Sequence, residues 1–224
     1  KIAKKRLVQM GENKNNIFIV GSPDVDMIIG KNLPNLNKVK KRYEISFSNY
    51  AIGILHPITT NLINLKKETK IFLNSLVKSG LNYILIYPNN DHGSDIILKE
   101  ISKYKSYKKF RIFPSIRFEF YLTLLKNSRF IIGNSSSGII EAPYYGVSTI
   151  NIGDRQKNRL PSKLIKNINF DEKLILKSIG FAKNRKIKKR KFFGDGKSAE
   201  KITNLFLTKK IWKISNQKNF IDII

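Results

Sequence analysis

"IIGNSSSGIIEAPYYGVSTINIGDRQKNR", residues 131–159, sets a cluster of serines between two apolar runs. An apolar run stops at Gly133, three serines follow in a row, and a second apolar run over 147–152 ends in Gly153-Asp154-Arg155. A strand that turns into a short helix and returns as a second strand is the repeating unit of a parallel sheet. The spacing predicts the helix over 136–146, ended near Pro143 and Gly146, residues that cannot continue a helix and commonly close one.

The same alternation runs outward in both directions. Short apolar runs at 16–23, 49–55, 82–88, 110–115, 129–134 and 147–153 read as strands. Helices are expected over 65–80, 94–105, 117–128, 171–183 and 197–210. In the first of these Ile71, Leu73, Leu76 and Val77 share a face and Gly80 closes the segment, while Ser94 caps the second. Near-continuous apolar strands between helices imply a sheet covered on both sides. The fold class is α/β, a Rossmann-like parallel sheet with helices on both faces. Residues 1–210 read as one domain without a linker, 211–224 as a C-terminal tail, and 1–48 as peripheral.

Composition narrows the chemistry. The 224 residues are 41% hydrophobic, enough for a core, and 43 Lys+Arg against 16 Asp+Glu give a net charge of +27. The lysines are spread along the chain together with Asn and Ile, a residue bias rather than a nucleic-acid motif; only 183–191, "KNRKIKKRK", is a dense basic run, and such runs are usually solvated loops. Without cysteine there is no disulfide framework, thiol nucleophile or Cys-type zinc site, and two histidines give no basis for a structural metal. No apolar stretch reaches the length of a membrane span and no signal peptide opens the chain, so a cytoplasmic location is expected. The first residues, "KIAKKRLVQMG", lack an initiator Met, which suggests a sequence that starts partway into a longer one.

In an open parallel sheet ligands bind beyond the carboxyl ends of the strands. Those ends carry His56-Pro57, then residues 88–94 with Asn89, Asp91 and His92, then Pro114-Ser115, then residues 133–138 with the serines, then Gly153-Asp154-Arg155. Nearly every distinctive polar residue thus falls on one rim. The serines open a helix, where backbone N–H groups lack partners and an anion such as phosphate is favoured. Ser135 or Ser136 as a simple N-cap is the competing reading, and the residues alone leave both open. Glu141, four residues after Ser137, shares its helix face; it suits either a hydroxyl pair such as a ribose diol or an ordinary first-turns acid. Arg155 and Arg159 could balance phosphate charge. His56, at a strand end before proline, is a better chemical candidate than His92. No Ser–His–Asp order, Walker loop or GxGxxG pattern is present.

The run 110–159 resembles the UDP-N-acetylglucosamine 2-epimerase family, with the hydrolysing branch of sialic and legionaminic acid synthesis the nearer likeness. "ILHPITTN" (54–61), "YPNNDHGS" (87–94) and "FFGDGKSAEKI" (192–202) are similar to further blocks of that family in the same order. The resemblance covers 1–210 and only the C-terminal half of a two-domain, glycosyltransferase-B-type enzyme. It implies that Ser135 and Ser136 hold the diphosphate of UDP, that Glu141 holds the ribose, and that Ser115 and Ile116 lie by the uracil through their backbone. It further implies that Asn89 and Arg155 line the nucleotide or sugar pocket and that His56 assists UDP departure. No cofactor or metal is implied. Expected partners are a UDP-sugar, the missing N-terminal domain and, as in much of the family, a second copy of the chain.

In this family UDP is eliminated to a glucal-type intermediate, and water addition yields the free 2-epimer. The "GNSSSG" form resembles the hydrolysing branch, the other branch usually carrying "DSGG"; Ile140 stands where hydrolysing members often have a polar or basic residue. The carboxylates that move the C2 proton are expected in the other domain, so this chain alone is expected to bind UDP without turnover. The readings that compete are a non-hydrolysing epimerase, a UDP-sugar glycosyltransferase domain, an inactive or regulatory relative, and a basic nucleic-acid-binding domain.

Overall fold

The computed structural model describes residues 2–30, 32–157, 159, 165–209 and 211–222. The chain divides into two compact units, residues 1–30 with 192–224, and residues 31–191. In the smaller unit, numbering along the chain, α1 (Ile2–Gln9), α2 (Pro23–Ile29) and α10 (Ser198–Leu207) are joined by irregular backbone and by 3-10 turns at Lys14–Asn16 and Ile211–Lys213. Asp26 of α2 accepts the Ser198 and Ala199 N–H groups at 2.9 and 2.8 Å. It thus caps α10 from the far end of the sequence, and these backbone bonds hold its carboxyl below the usual range. No strand forms over 16–23. Gly21 there turns through φ 96°, Pro23 opens α2, and Ile19 is exposed. Four apolar residues without a partner strand have no ladder to join.

The larger unit carries the sheet. Its elements are α3 (Leu36–Arg42), β1 (Ala51–Ile54), α4 (Leu65–Lys78), β2 (Tyr83–Ile86), α5 (Ser94–Ser102), β3 (Phe110–Phe113), α6 (Phe118–Lys126), β4 (Phe130–Gly133), α7 (Ser137–Ile140), α8 (Ala142–Tyr145), β5 (Ser148–Ile152), β6 (Ile165–Ile168) and α9 (Glu172–Ala182). The strands are all parallel, in the order β3-β2-β1-β4-β5-β6. That is the doubly wound Rossmann order, whose direction reverses between β1 and β4. Helices α4, α5 and α9 pack together on one side, while α3 and α6, with α7 and α8, cover the other. Ile52, Ile84, Leu85, Phe130, Ile131 and Ile132 lie fully buried between them, each burial contributing about 1.5–3 kcal/mol.

Several elements differ from the sequence reading. The expected helix 136–146 is two four-residue turns, α7 and α8, with Pro143 inside the second and Gly146 closing it at φ 71°. Pro143 has no N–H to bond back to α7. Ser94 starts α5 without a side-chain cap; Gly93, at φ 92°, holds the cap position. Strand β6 was not expected at all, and residues 1–48 are not peripheral, because Val39, Ile45 and Phe47 are buried in this unit and Val25 and Ile28 in the smaller one. Lys210, the last residue of the helix expected over 197–210, lies outside the described residues. Among the described residues no helix is long and apolar enough to cross a membrane.

Candidate functional site

Gly133 ends β4 beside Ile54 of β1, at the point where the strand order reverses. Its φ is 131°, and a Cβ added there would lie 1.8 Å from the Ile54 carbonyl oxygen. Only glycine allows so close an approach in that conformation. The next residue, Asn134, is fully buried and continues the pairing by donating its N–H to Ile54 O at 3.1 Å. Its carboxamide then clasps His56, two residues beyond the end of β1: Oδ1 accepts the His56 N–H at 2.7 Å and Nδ2 donates to His56 O at 2.8 Å. The Asn134 carbonyl in turn accepts from Arg155 Nη1 and Gln156 Nε2, both at 3.2 Å. One buried asparagine therefore ties the loops after β1, β4 and β5 together.

His56 is half-buried beside these loops. Its Nδ1 accepts the Asn89 N–H at 3.0 Å, from the loop after β2. Burial first, and the Arg155 charge second, push its pKa down to about 4, against the opposing pull of Asn89 and Asp91. The ring is neutral near pH 7. With Nδ1 accepting, its proton sits on Nε2, an assignment that follows from the bonding.

The three serines do three different things. Ser135 Oγ accepts the Ser137 N–H at 3.3 Å and so shapes the turn. Ser137 is buried and its hydroxyl pairs with the buried Tyr121 hydroxyl. Ser136 is half-exposed, and neither its hydroxyl nor the N–H groups of Ser135 and Ser136 meet an acceptor or donor among the described residues. Main-chain N–H groups left open in this way favour an anion. With α7 only four residues long, the attraction comes from these local groups rather than from a long helix dipole. Glu141 is buried at the junction of α7 and α8, where its charge helps to raise the hydroxyl pKa values of Tyr121 and Tyr145.

His56, Asn89, Ser135, Ser136 and Arg155 thus stand on the loops around the switch point, with Glu141 just behind. Ser115 and Ile116 lie on the same carboxyl edge but after β3, two strands from β1, and no hydrogen bond links either to His56 among the described residues. Gln156, whose buried Oε1 has no partner among the described residues, escapes the sequence reading, while Asn134 and Asp91 fall on the rim there but are given no role. The signal for Asn134 was a polar residue directly after an apolar strand. A separate cavity of about 520 Å³ lies at the β6 edge, lined by Lys157, Lys166, Lys177, Leu174 and Phe181 among others, and reaches none of these residues. Among the described residues no cluster of three or more His, Cys, Asp or Glu side chains suits a metal.

The family model for UDP-N-acetylglucosamine 2-epimerase matches residues 1–207. The chain belongs to that family. It is 43% identical over 225 residues to a UDP-N-acetylglucosamine 2-epimerase of Neisseria meningitidis serogroup B, a match that takes in 99% of this chain and 59% of that protein. It is 30% identical over 208 residues to a UDP-N,N'-diacetylbacillosamine 2-epimerase (hydrolyzing) of Legionella pneumophila, covering 92% of this chain and 55% of the relative. The chain therefore spans under two thirds of these relatives. A Methanocaldococcus jannaschii UDP-GlcNAc 2-epimerase, solved with UDP-GlcNAc and UDP, matches with a TM-score of 0.72 at 24% identity, over 92% of this chain and 59% of that one; at this identity the likeness speaks for the fold alone.

Proposed function

We propose that this chain is the UDP-binding half of a 2-epimerase of the hydrolysing type, acting on UDP-N-acetylglucosamine or a diacetamido analogue. Residues 1–210 serve as the nucleotide-binding domain and 211–224 as a tail. The observation that carries the reading is the switch-point cluster: open Ser135 and Ser136 N–H groups beside Arg155, which is anchored on the Asn134 carbonyl 3.2 Å away. The Ser135 and Ser136 amides and the Arg155 guanidinium hold the diphosphate. Glu141 accepts from the ribose hydroxyls, Ser115 and Ile116 face the uracil with their backbone, and Asn89 lines the pocket.

In the reaction a base removes the C2 proton, the C–H electron pair becomes the C1=C2 bond, and the C1–O bond to UDP breaks. Water then supplies a hydroxyl to C1 and a proton to C2. His56 Nε2–H donates a hydrogen bond to the departing phosphate oxygen, lowering the cost of its growing charge. The residues that move the C2 proton belong to the N-terminal domain. The hydrolysing outcome is supported by the "GNSSSG" form and by the hydrolysing activity in the Legionella relative's name.

Titration of the purified chain with UDP, ADP and a short DNA duplex at low and high salt tests the reading. UDP binding exceeds ADP binding at both salt levels, and Arg155→Ala weakens it about 10–100-fold through loss of charged hydrogen bonds. Equal affinity for both nucleotides, with duplex binding that collapses as salt rises, would instead mark a general polyanion surface fed by the +27 charge.

A further inference from the structure

Asp91 has no role in the reaction as drawn, yet one of its carboxylate oxygens meets two members of the site. Oδ2 accepts from the Asn89 carboxamide Nδ2 and faces Arg155 Nη2 at 4.0 Å. The first contact decides which end of the Asn89 carboxamide looks at the imidazole. With the nitrogen committed to a carboxylate, Asn89 Oδ1 is left 3.1 Å from His56 Nδ1. That same ring nitrogen accepts the Asn89 main-chain N–H at 3.0 Å.

His56 Nδ1 therefore stands between a donor and an acceptor of one residue. In the neutral ring, with its proton on Nε2, Nδ1 takes the main-chain N–H and its lone pair faces Oδ1, an unfavourable contact. In the imidazolium, Nδ1 carries a proton that Oδ1 accepts, and the main-chain N–H gives up its acceptor. Nδ1 has a partner in either state, and burial together with the surrounding charge selects between them. The loop after β5 brings the Arg155 charge to act on the ring, with Arg159 acting on Arg155; the loop after β2 brings Asp91. The loop after β4 presents the uncharged Asn134, Ser135 and Ser136, and Asp154 is engaged by Lys157 at 3.1 Å. Arg155 is thus the cation that, second to burial, holds the imidazole neutral, and its charge is the part that a bound diphosphate would offset.

We propose that Asp91 is a positioning residue that readies His56 to take up a proton when a diphosphate engages Arg155, by holding Asn89 Oδ1 as the waiting acceptor of Nδ1–H. The inference rests on the nucleotide reading above. One proton comes from solvent to Nδ1, while Nε2 keeps its own. When the C1–O bond breaks, Nε2–H passes to the departing phosphate oxygen, and the ring returns to neutrality with its proton on Nδ1, held by Asn89. His56 then acts as a proton donor rather than a hydrogen-bond donor alone.

The chain has two histidines, so long-range proton–nitrogen NMR of the imidazoles reads the proposal directly, with the exposed His92 as the internal reference. Without nucleotide, His56 is the Nε2–H tautomer and protonates only near pH 4. With saturating UDP its titration moves up by about 1–3 pH units, the shift expected when an opposite charge arrives beside the ring and offsets Arg155. Asp91→Asn keeps the shape and removes the charge; UDP still perturbs the Ser135 and Ser136 amides, but at least half of the upward shift of His56 is lost. Asp91→Ala, which also frees the Asn89 carboxamide, loses all of it. The proposal is overturned if UDP perturbs those amides while His56 keeps its titration, or if both variants shift as far as the parent. If the amides do not respond to UDP at all, the nucleotide reading fails, and this inference fails with it.

Discussion

Gly133→Ala unfolds at much lower urea than the parent chain, with a loss of about 2–6 kcal/mol from backbone strain and overpacking together. A methyl group at this position would lie 1.8 Å from the Ile54 carbonyl oxygen, on a backbone at φ 131°. Neither strain can relax cheaply, because the opposing atom is main chain and the next N–H, from Asn134, already bonds to that same oxygen. Either β1 and β4 separate at their carboxyl ends or the turn into the serines is rebuilt, and both outcomes dismantle the cluster. Gly180→Ala is the contrasting case. Gly180 lies inside α9, and a Cβ there meets nothing within 4 Å, so alanine stabilises the chain by about 0.5–1 kcal/mol. A Gly133 variant within about 1 kcal/mol of the parent would contradict the close approach of β4 to the Ile54 carbonyl.

Asn134→Ala is expected to cost about 2–4 kcal/mol, because it strips the His56 N–H and carbonyl of their partners at 2.7 and 2.8 Å and leaves two backbone groups unsatisfied. It also releases the histidine loop from the residue whose main-chain carbonyl, kept in alanine, still holds Arg155 and Gln156. UDP binding falls about 10-fold, because His56 loses the alignment that aims its ring at the phosphates while the main-chain carbonyl that holds Arg155 is retained. Urea unfolding and a UDP titration check the two effects separately. A variant with normal stability and normal affinity would show that the asparagine clasp positions nothing.

The parts of this architecture that sequence could reveal are those set by apolar runs. Five strand cores were legible because Ile52, Ile84, Ile112, Ile131 and Ile150 sit in short apolar segments that a parallel sheet buries. Strand β6 was not, because Lys166 and Asn167 are exposed on the edge of the sheet and leave only Ile165 and Ile168 as signal. The run at 16–23 has the composition of a strand but no neighbour to pair with, and composition does not report a missing neighbour. The rim position of His56, Asn89, the serines and Arg155 followed from listing what comes after each strand. The division of labour among the serines did not, since nothing in "SSS" says that the third turns inward to Tyr121. Nor did the hub role of Asn134, which depends on β1 and β4 being neighbours, a fact of topology fixed by residues 78 positions apart.

A crystal structure of the chain with UDP would show whether the switch-point loops hold the nucleotide. Diphosphate oxygens are expected within hydrogen-bond distance of the Ser135 and Ser136 N–H groups, with Arg155 and His56 Nε2 facing the same phosphates and the ribose against Glu141. Nucleotide found instead in the lysine-lined cavity of about 520 Å³ beside β6, with the switch-point loops bare, would contradict that placement.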